Sequence, residues 1–216
     1  MNSLKELENK KKKSVNKKYN VILDLDNTLI SGEPSEHFNF KKQIIKANKF
    51  DFETMEDYYI IFSRPHLQKF LTFLFNNFNV SVWTAASKDY ALFIIENIIL
   101  KGKKNRKIDF IFFSYHCNIS KKLTKNTKKL SILWDTFKIK NYNENNTFIF
   151  DDYKEDVYDS QKENCILAKI FEYTSEGSES DIFLLNLIQM LKKMLKQDET
   201  KFNNHILKIN EELLKT

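Results

Sequence analysis

Three short apolar runs in this chain end in polar residues suited to phosphoryl transfer. The first ends in Asp24-Leu25-Asp26-Asn27-Thr28, the second in Thr84 followed by Ala85, Ala86 and Ser87, and a later one in Asp151-Asp152. Lys128 lies in the segment before the last of them. Phosphoryl transfer needs an in-line nucleophile, a proton for the leaving oxygen, and positive charge to offset the phosphate oxygens. A carboxylate at a strand end, Asp24, can attack phosphorus and carry the phosphoryl group as an acyl phosphate. Asp26 sits two residues on, where the chain leaves the sheet. There it can act as general acid and then as general base for the hydrolytic water. Converging carboxylates repel one another and need a cation. Oxygen-only ligation favours Mg²⁺, which keeps several waters and takes one or two carboxylates. Asp24 and one residue of the Asp151-Asp152 pair fit that role, with the carbonyl of Asp26 as a third ligand. Thr84 and Ala85 are the candidate phosphate-holding positions at the second strand end, Thr84 through its hydroxyl. Lys128 can place an ammonium beside the phosphate.

Each part alone has an ordinary reading. An aspartate after a buried strand often forms a turn. Thr84 can cap a helix approach, Lys128 is one of 35 basic residues, and Asp151-Asp152 can open a loop. The order along the chain carries the weight: strand-DxDxT, strand-T, Lys, strand-DD.

The elements that must position these groups are legible as alternating strands and helices. Tyr19 to Asp24 reads as a fully buried strand of the kind a parallel sheet uses. Ser31 to Asp57 reads as irregular, with turn signals at Ser31-Gly32 and Pro34. Tyr58 to Phe62 reads as another strand. Ser63 is expected to cap a helix over Leu67 to Phe78, with Pro65 in its first turn. Val80 to Trp83 is a second buried strand, and Ser87 caps a helix to about Leu100. Ile108 to Phe113 is a third strand, 114–127 a loop, and Lys129 to Phe137 a helix. Thr147 to Phe150 and Ile166 to Ile170 are the fourth and fifth strands. Asp181 to Leu195 is an amphipathic helix, and Glu199 to Leu214 a further one. This pattern predicts an α/β fold built on a doubly wound, mostly parallel sheet, with its site outside the carboxyl ends of the strands.

The 216 residues suffice for one domain with a sizeable core. We read 1–18 as a basic tail, 19–195 as the catalytic domain and 196–216 as a C-terminal helical extension. Only three glycines occur, and neither G-x-G-x-x-G nor G-x-x-x-x-G-K is present, which excludes the glycine-rich nucleotide cradles. No apolar run approaches the roughly 20 residues of a membrane span. With two cysteines there is no disulfide framework, and a reducing compartment, nuclear or cytoplasmic, is the default. Residues 1–18 hold seven lysines against two glutamates. That tail reads as a solvated extension, a nuclear-localisation patch or a nucleic-acid anchor. A second basic strip, residues 101–140, carries twelve Lys and Arg against Asp109 and Asp135, and part of it is expected to border the site.

The four motifs resemble those of the haloacid dehalogenase superfamily. Within it the chain looks like the phosphatases acting on the RNA polymerase II C-terminal domain, also described as nuclear LIM interactor-interacting factor phosphatases. The resemblance rests on Val21-Ile22-Leu23-Asp24-Leu25-Asp26-Asn27-Thr28-Leu29, Ser63-Arg64-Pro65-His66, Val82-Trp83-Thr84-Ala85-Ala86-Ser87 with Tyr90-Ala91, Lys128-Lys129-Leu130-Ser131, and Asn146 to Asp152. It spans about residues 19–192. It implies Asp24 as nucleophile, Asp26 as acid/base, and Thr84 and Lys128 as phosphate ligands. It implies Asp152 as the metal ligand of the last pair, with Asp151 orienting Lys128 or a metal-bound water. His66 reads as structural. Relatives usually carry an arginine before a cysteine to hold the substrate phosphate; here the stretch is Phe113-Ser114-Tyr115-His116-Cys117. Lys121, Lys122, Lys125 and His116 are candidates to replace it, and Lys129 is the alternative to Lys128. The segments after Asp26 and between the third and fourth strands are too short for a full cap domain, so the site is expected to be open to a phosphorylated protein or peptide. A small-molecule phosphatase and a non-catalytic binding subunit are the competing readings.

Overall fold

A computed structural model describes residues 17–38 and 40–215; most of the basic tail lies outside the described residues. Five strands form the central sheet: β1 (Asn20–Leu23), β5 (Asn79–Trp83), β6 (Ile108–Phe112), β7 (Thr147–Asp151) and β8 (Cys165–Leu167). Their order is β6-β5-β1-β7-β8, all parallel, with β1 at the centre. These are the five buried apolar runs of the sequence, and the α/β doubly wound expectation holds.

Alternation along each strand feeds a core on either face. Val21, Leu23, Val80, Val82, Phe148 and Phe150 point into the larger one, and Ile22, Trp83, Phe112, Ile149 and Cys165 into the other. Helices α2 (Leu67–Asn77), α3 (Lys88–Ile94, continued by a wider turn over Ile95–Ile99), α6 (Phe183–Met194) and α7 (Phe202–Leu213) supply the larger core. The short helix α5 (Ser131–Asp135) supplies Ile132 and Leu133 to the other. Phe202 and Ile206 of α7 are fully enclosed, Phe202 stacks on Tyr19, and Asn210 bonds the Leu167 amide and the Cys165 carbonyl along the edge of β8 that does not face β7. The residues beyond 195 therefore pack on the same core as the sheet.

Three expectations fail. The segment Ser31 to Asp57 is ordered rather than irregular: it holds β2 (Ile30–Pro34), α1 (Phe40–Ala47) and β3 (Phe52–Met55). With β4 (Tyr59–Ser63) these strands make a second, antiparallel sheet in the order β2-β4-β3. Gly32 and Pro34 give β2 a turn-like composition, and only its ladder to β4 makes it a strand. The insert has its own small core, in which Phe62 stacks on Tyr173 at 3.8 Å between ring centroids.

The stretch 114–127 is not a loop. It contains α4 (Ser114–Thr124), whose only buried residues are Cys117 and Ser120, so no apolar stripe announces it. Finally, Ser63 ends β4 and does not cap α2. The residue before α2 is His66, in the left-handed region at φ 68°, with no side-chain cap.

Candidate active site

Strand register decides which side chains meet. Leu23 of β1 lies level with Val82 of β5 and Phe150 of β7. One residue on, Asp24 is therefore level with Trp83 and Asp151, with Thr84 just beyond, all at the carboxyl edge of the sheet. The Asp24 amide is tied to the Phe150 carbonyl at 3.0 Å.

Lys128 closes the group from the segment between β6 and β7. Its ammonium donates to Asp24 Oδ1 at 2.5 Å and to Asp151 Oδ2 at 2.7 Å. Its backbone is fixed on both sides. Gln161 Nε2 donates to the Lys128 carbonyl at 2.8 Å, and Asp156 accepts from the Thr127 amide and hydroxyl. Lys129, the alternative by register, points away and donates to the Ser160 carbonyl. Asp151 also accepts from the Tyr153 amide at 2.9 Å, so both of its oxygens are engaged. Asp152 accepts from the Thr28 hydroxyl at 2.9 Å.

One oxygen from each of Asp24, Asp151 and Asp152 lies within 4.8 Å of the others. The three carboxylates face a single ammonium and are buried or half-buried. When all four groups are ionised the cluster carries two uncompensated negative charges, in a donor set of oxygens alone. That is the chemistry a hard divalent cation fits. Of the sequence-derived ligand candidates, the Asp26 carboxylate stands outside this group; it accepts from the Tyr90 hydroxyl at 2.6 Å.

Burial is the main cause that pushes the Asp24 carboxyl well above the ordinary aspartate range; Lys128 pulls it down, and Asp151 pushes it up again. Burial likewise raises Asp26 and Asp152. For Lys128, burial works against the ammonium, but Asp151 and Asp24 more than offset it and hold the lysine charged above its usual range.

Thr84 is buried, and its hydroxyl oxygen accepts from the Ala86 amide at 3.0 Å, leaving the hydroxyl proton for another acceptor. Ala85 is exposed at the tip of that turn. Ser87 caps α3 by accepting from the Tyr90 amide, which places Tyr90 over Asp26.

Reasoning from sequence gave no role to three residues that build this site. Thr28, Tyr90 and Arg64 all stand in the quoted motifs. Arg64 is fully enclosed; it donates to the Thr28 and Lys169 carbonyls at 3.0 and 2.8 Å and pairs with Asp181 at 2.9 Å. It thereby clamps the loop after β1 to the segment after β8. The sequence shows only that an arginine precedes Pro65; its guanidinium lies over Phe183 while serving two carbonyls, a task that its fork of donors suits.

The candidates for the absent arginine are scattered. His116 stacks flat on Phe112 at 4.1 Å, and its Nδ1 accepts from the Phe113 amide, while burial lowers its pKa. Lys121 and Lys122 stand in the last turn of α4, roughly 10 Å along its axis from the end beside Ala86. Lys125 follows them in the left-handed conformation. The rest of the basic strip is divided: Lys101 pairs with Glu53, and Arg106 is buried against Gln68, Thr72 and the Ile99 carbonyl.

A parallel sheet of this order, with a carboxylate cluster and a lysine at its carboxyl edge, fits the haloacid dehalogenase class of phosphatases. Comparison with known proteins narrows the class. A sequence profile of the NLI interacting factor-like phosphatases matches residues 19–201, and the chain belongs to that family. It is 48% identical over 183 residues to a CTD phosphatase-like protein of Invertebrate iridescent virus 6, covering 82% of this chain and 98% of that one. A counterpart in Invertebrate iridescent virus 3 is 45% identical, over 82% and 97% of the two chains. The ubiquitin-like domain-containing CTD phosphatase 1 of Xenopus tropicalis is 26% identical, over 66% of this chain and 45% of that protein. Among solved structures, the fission yeast RNA polymerase II CTD phosphatase Fcp1 shares the fold with a TM-score of 0.52 at 16% identity, over 92% of this chain and 62% of that one. Among the described residues no helix is long and apolar enough to cross a membrane.

Proposed function

We propose that the chain is a Mg²⁺-dependent phosphoprotein phosphatase acting on phosphoserine or phosphothreonine through an aspartyl-phosphate intermediate. The observation that carries this reading is the convergence of Asp24, Asp151, Asp152 and Lys128 on one buried spot. Asp24 attacks phosphorus; its oxygen–phosphorus bond forms as the bond to the serine or threonine oxygen breaks. Asp26 gives its proton to that leaving oxygen. The Asp26 carboxylate then takes a proton from water, whose oxygen attacks phosphorus, and phosphate leaves Asp24. Asp24 and Asp152, with the Asp26 carbonyl, would hold Mg²⁺. The cation would offset the carboxylate and phosphate charge when bound. Lys128, held by Asp151, and Thr84, with Ala85 beside it, hold the phosphate oxygens.

An exposed Ala85 supports a substrate presented by a macromolecule, and the likeness to CTD phosphatases, with a fold neighbour that is an RNA polymerase II CTD phosphatase, favours a phosphorylated tail of that kind. Nucleic acid enters this reading only through the basic tail, and the reducing, nuclear or cytoplasmic compartment goes with it. The test is phosphate release from p-nitrophenyl phosphate and a phosphopeptide panel, with Mg²⁺ and with chelator. Metal-dependent release from phosphoserine peptides is expected; release from small esters alone, or none, contradicts the reading.

A further inference from the structure

Gly32 pairs with Ile61 in the β2–β4 ladder, and neither its place in a strand nor its backbone requires a glycine. What requires one is a neighbour. A Cβ built on Gly32 would lie 2.5 Å from the Tyr90 hydroxyl oxygen, while its next nearest atoms, Tyr90 Cζ and Asp26 Oδ1, would stand at 3.7 Å. Only the hydroxyl is in the way; the ring and the carboxylate are at ordinary contact distance. That hydroxyl is the one bonded to Asp26 at 2.6 Å. The Tyr90 ring cannot readily back away, because the Tyr59 ring packs on it in a T-shaped pair at 5.1 Å between centroids and the Tyr90 backbone is anchored through the Ser87 cap. A strand of the insert, the first turn of α3 and the loop after β1 thus meet at a single point, and the missing side chain of Gly32 is the space that lets them.

We propose that Gly32 is a positioning residue for the reaction: its vacancy seats the Tyr90 hydroxyl on Asp26 and so fixes the carboxylate that handles the proton. This rests on the role given to Asp26 above. Any side chain at position 32 displaces the hydroxyl, and Asp26 then loses its one side-chain donor among the described residues. The insert after β1 thereby acts on the chemistry through the Gly32–Tyr90 contact.

The test is a double-mutant cycle of Gly32→Ala and Tyr90→Phe, read by turnover of p-nitrophenyl phosphate and, independently, by thermal unfolding. Gly32→Ala alone should lower kcat about tenfold or more, the range of a lost hydrogen bond to a charged group, and should lower Tm. Tyr90→Phe alone should lower kcat similarly. In the Tyr90→Phe background, where the obstructing oxygen is gone, adding Gly32→Ala should change neither kcat nor Tm appreciably. Equal costs of Gly32→Ala in both backgrounds would overturn the proposal, because a strand that merely disliked alanine would lose the same in each. So would a Gly32→Ala enzyme as active and as stable as wild type. The unfolding cycle reports on the Gly32–Tyr90 contact even if the wild-type protein releases no phosphate, an outcome that would strike the proposed function instead. If the unfolding cycle couples and Asp26→Asn retains full activity, the contact exists without the positioning role, and the proposal fails.

Discussion

The Thr28 hydroxyl donates to Asp152 Oδ1 at 2.9 Å, joining the loop after β1 to the end of β7 across 124 positions of the chain. Thr28 is fully buried, and its carbonyl is held in turn by Arg64. Partners that orient a ligating carboxylate are worth roughly 10–100-fold in metal affinity. Thr28→Val, which keeps the volume and removes the donor, should raise the Mg²⁺ concentration for half-maximal activity about tenfold, with kcat near wild type at saturating metal. An unchanged metal dependence would remove Asp152 from the ligand set.

Lys128 and Lys129 offer an internal comparison. Lys128→Met leaves Asp24 and Asp151 without their ammonium and should lower kcat/KM by about a hundredfold or more. Lys129→Met removes only a bond to the Ser160 carbonyl and should stay within a few-fold of wild type. Steady-state kinetics of the two variants decides, and the reverse ranking would mean that the other lysine serves the phosphate.

The raised carboxyl pKa values predict a pH dependence of stability. Burial raises Asp24 above its unfolded value of 3.8, and Asp26 and Asp152 with it. A raised carboxyl binds more protons folded than unfolded, so its contribution favours folding at low pH and is lost as pH rises from the unfolded value through the folded one. In chelator, Asp24→Asn should therefore be more stable than wild type at pH 7.5, with the gap in Tm narrowing toward pH 5. Excess Mg²⁺ should close the gap from the wild-type side. A Tm gap that does not change with pH would show that Asp24 pays no such penalty.

Past β6, Lys121, Lys122 and Lys125 stand in the last turn of α4 and just beyond it. If they steer acidic, multiply phosphorylated peptides, kcat/KM for such a peptide should exceed that for a neutral, singly phosphorylated one. The ratio should fall toward one as the Debye length shrinks from about 10 Å at 0.1 M salt to about 3 Å at 1 M. Charge reversal of the three lysines should abolish the preference. A ratio insensitive to salt would leave the strip as solvated surface.

The five strands of the central sheet and the side chains at their carboxyl ends were legible because runs such as Val21-Ile22-Leu23 and Phe148-Ile149-Phe150 are apolar at every position, as strands covered on both faces must be. The insert was not legible. Ile30 to Pro34 has no strand composition, and its pairing partner β4 lies some 29 residues on, where no local pattern reaches. Helix α4 was hidden for the opposite reason: its sequence, SYHCNISKKLT, fully buries only two small side chains, half-buries Ser114, His116, Ile119 and Thr124, and leaves the rest in solvent. Thr28, Tyr90 and Arg64 stood in recognisable motifs, but their tasks are contacts over 36 to 124 positions, visible only once the chain is folded.

The central claim is that Asp24 carries the phosphoryl group. The most direct measurement is acid quench of the enzyme during turnover of a ³²P-labelled phosphopeptide in Mg²⁺, followed by hydroxylamine treatment and peptide mapping. We predict label on the peptide containing Asp24, released by hydroxylamine as an acyl phosphate must be, with no label and no turnover in Asp24→Asn. Label on another residue, or an Asp24→Asn enzyme that turns over within tenfold of wild type, would contradict the account.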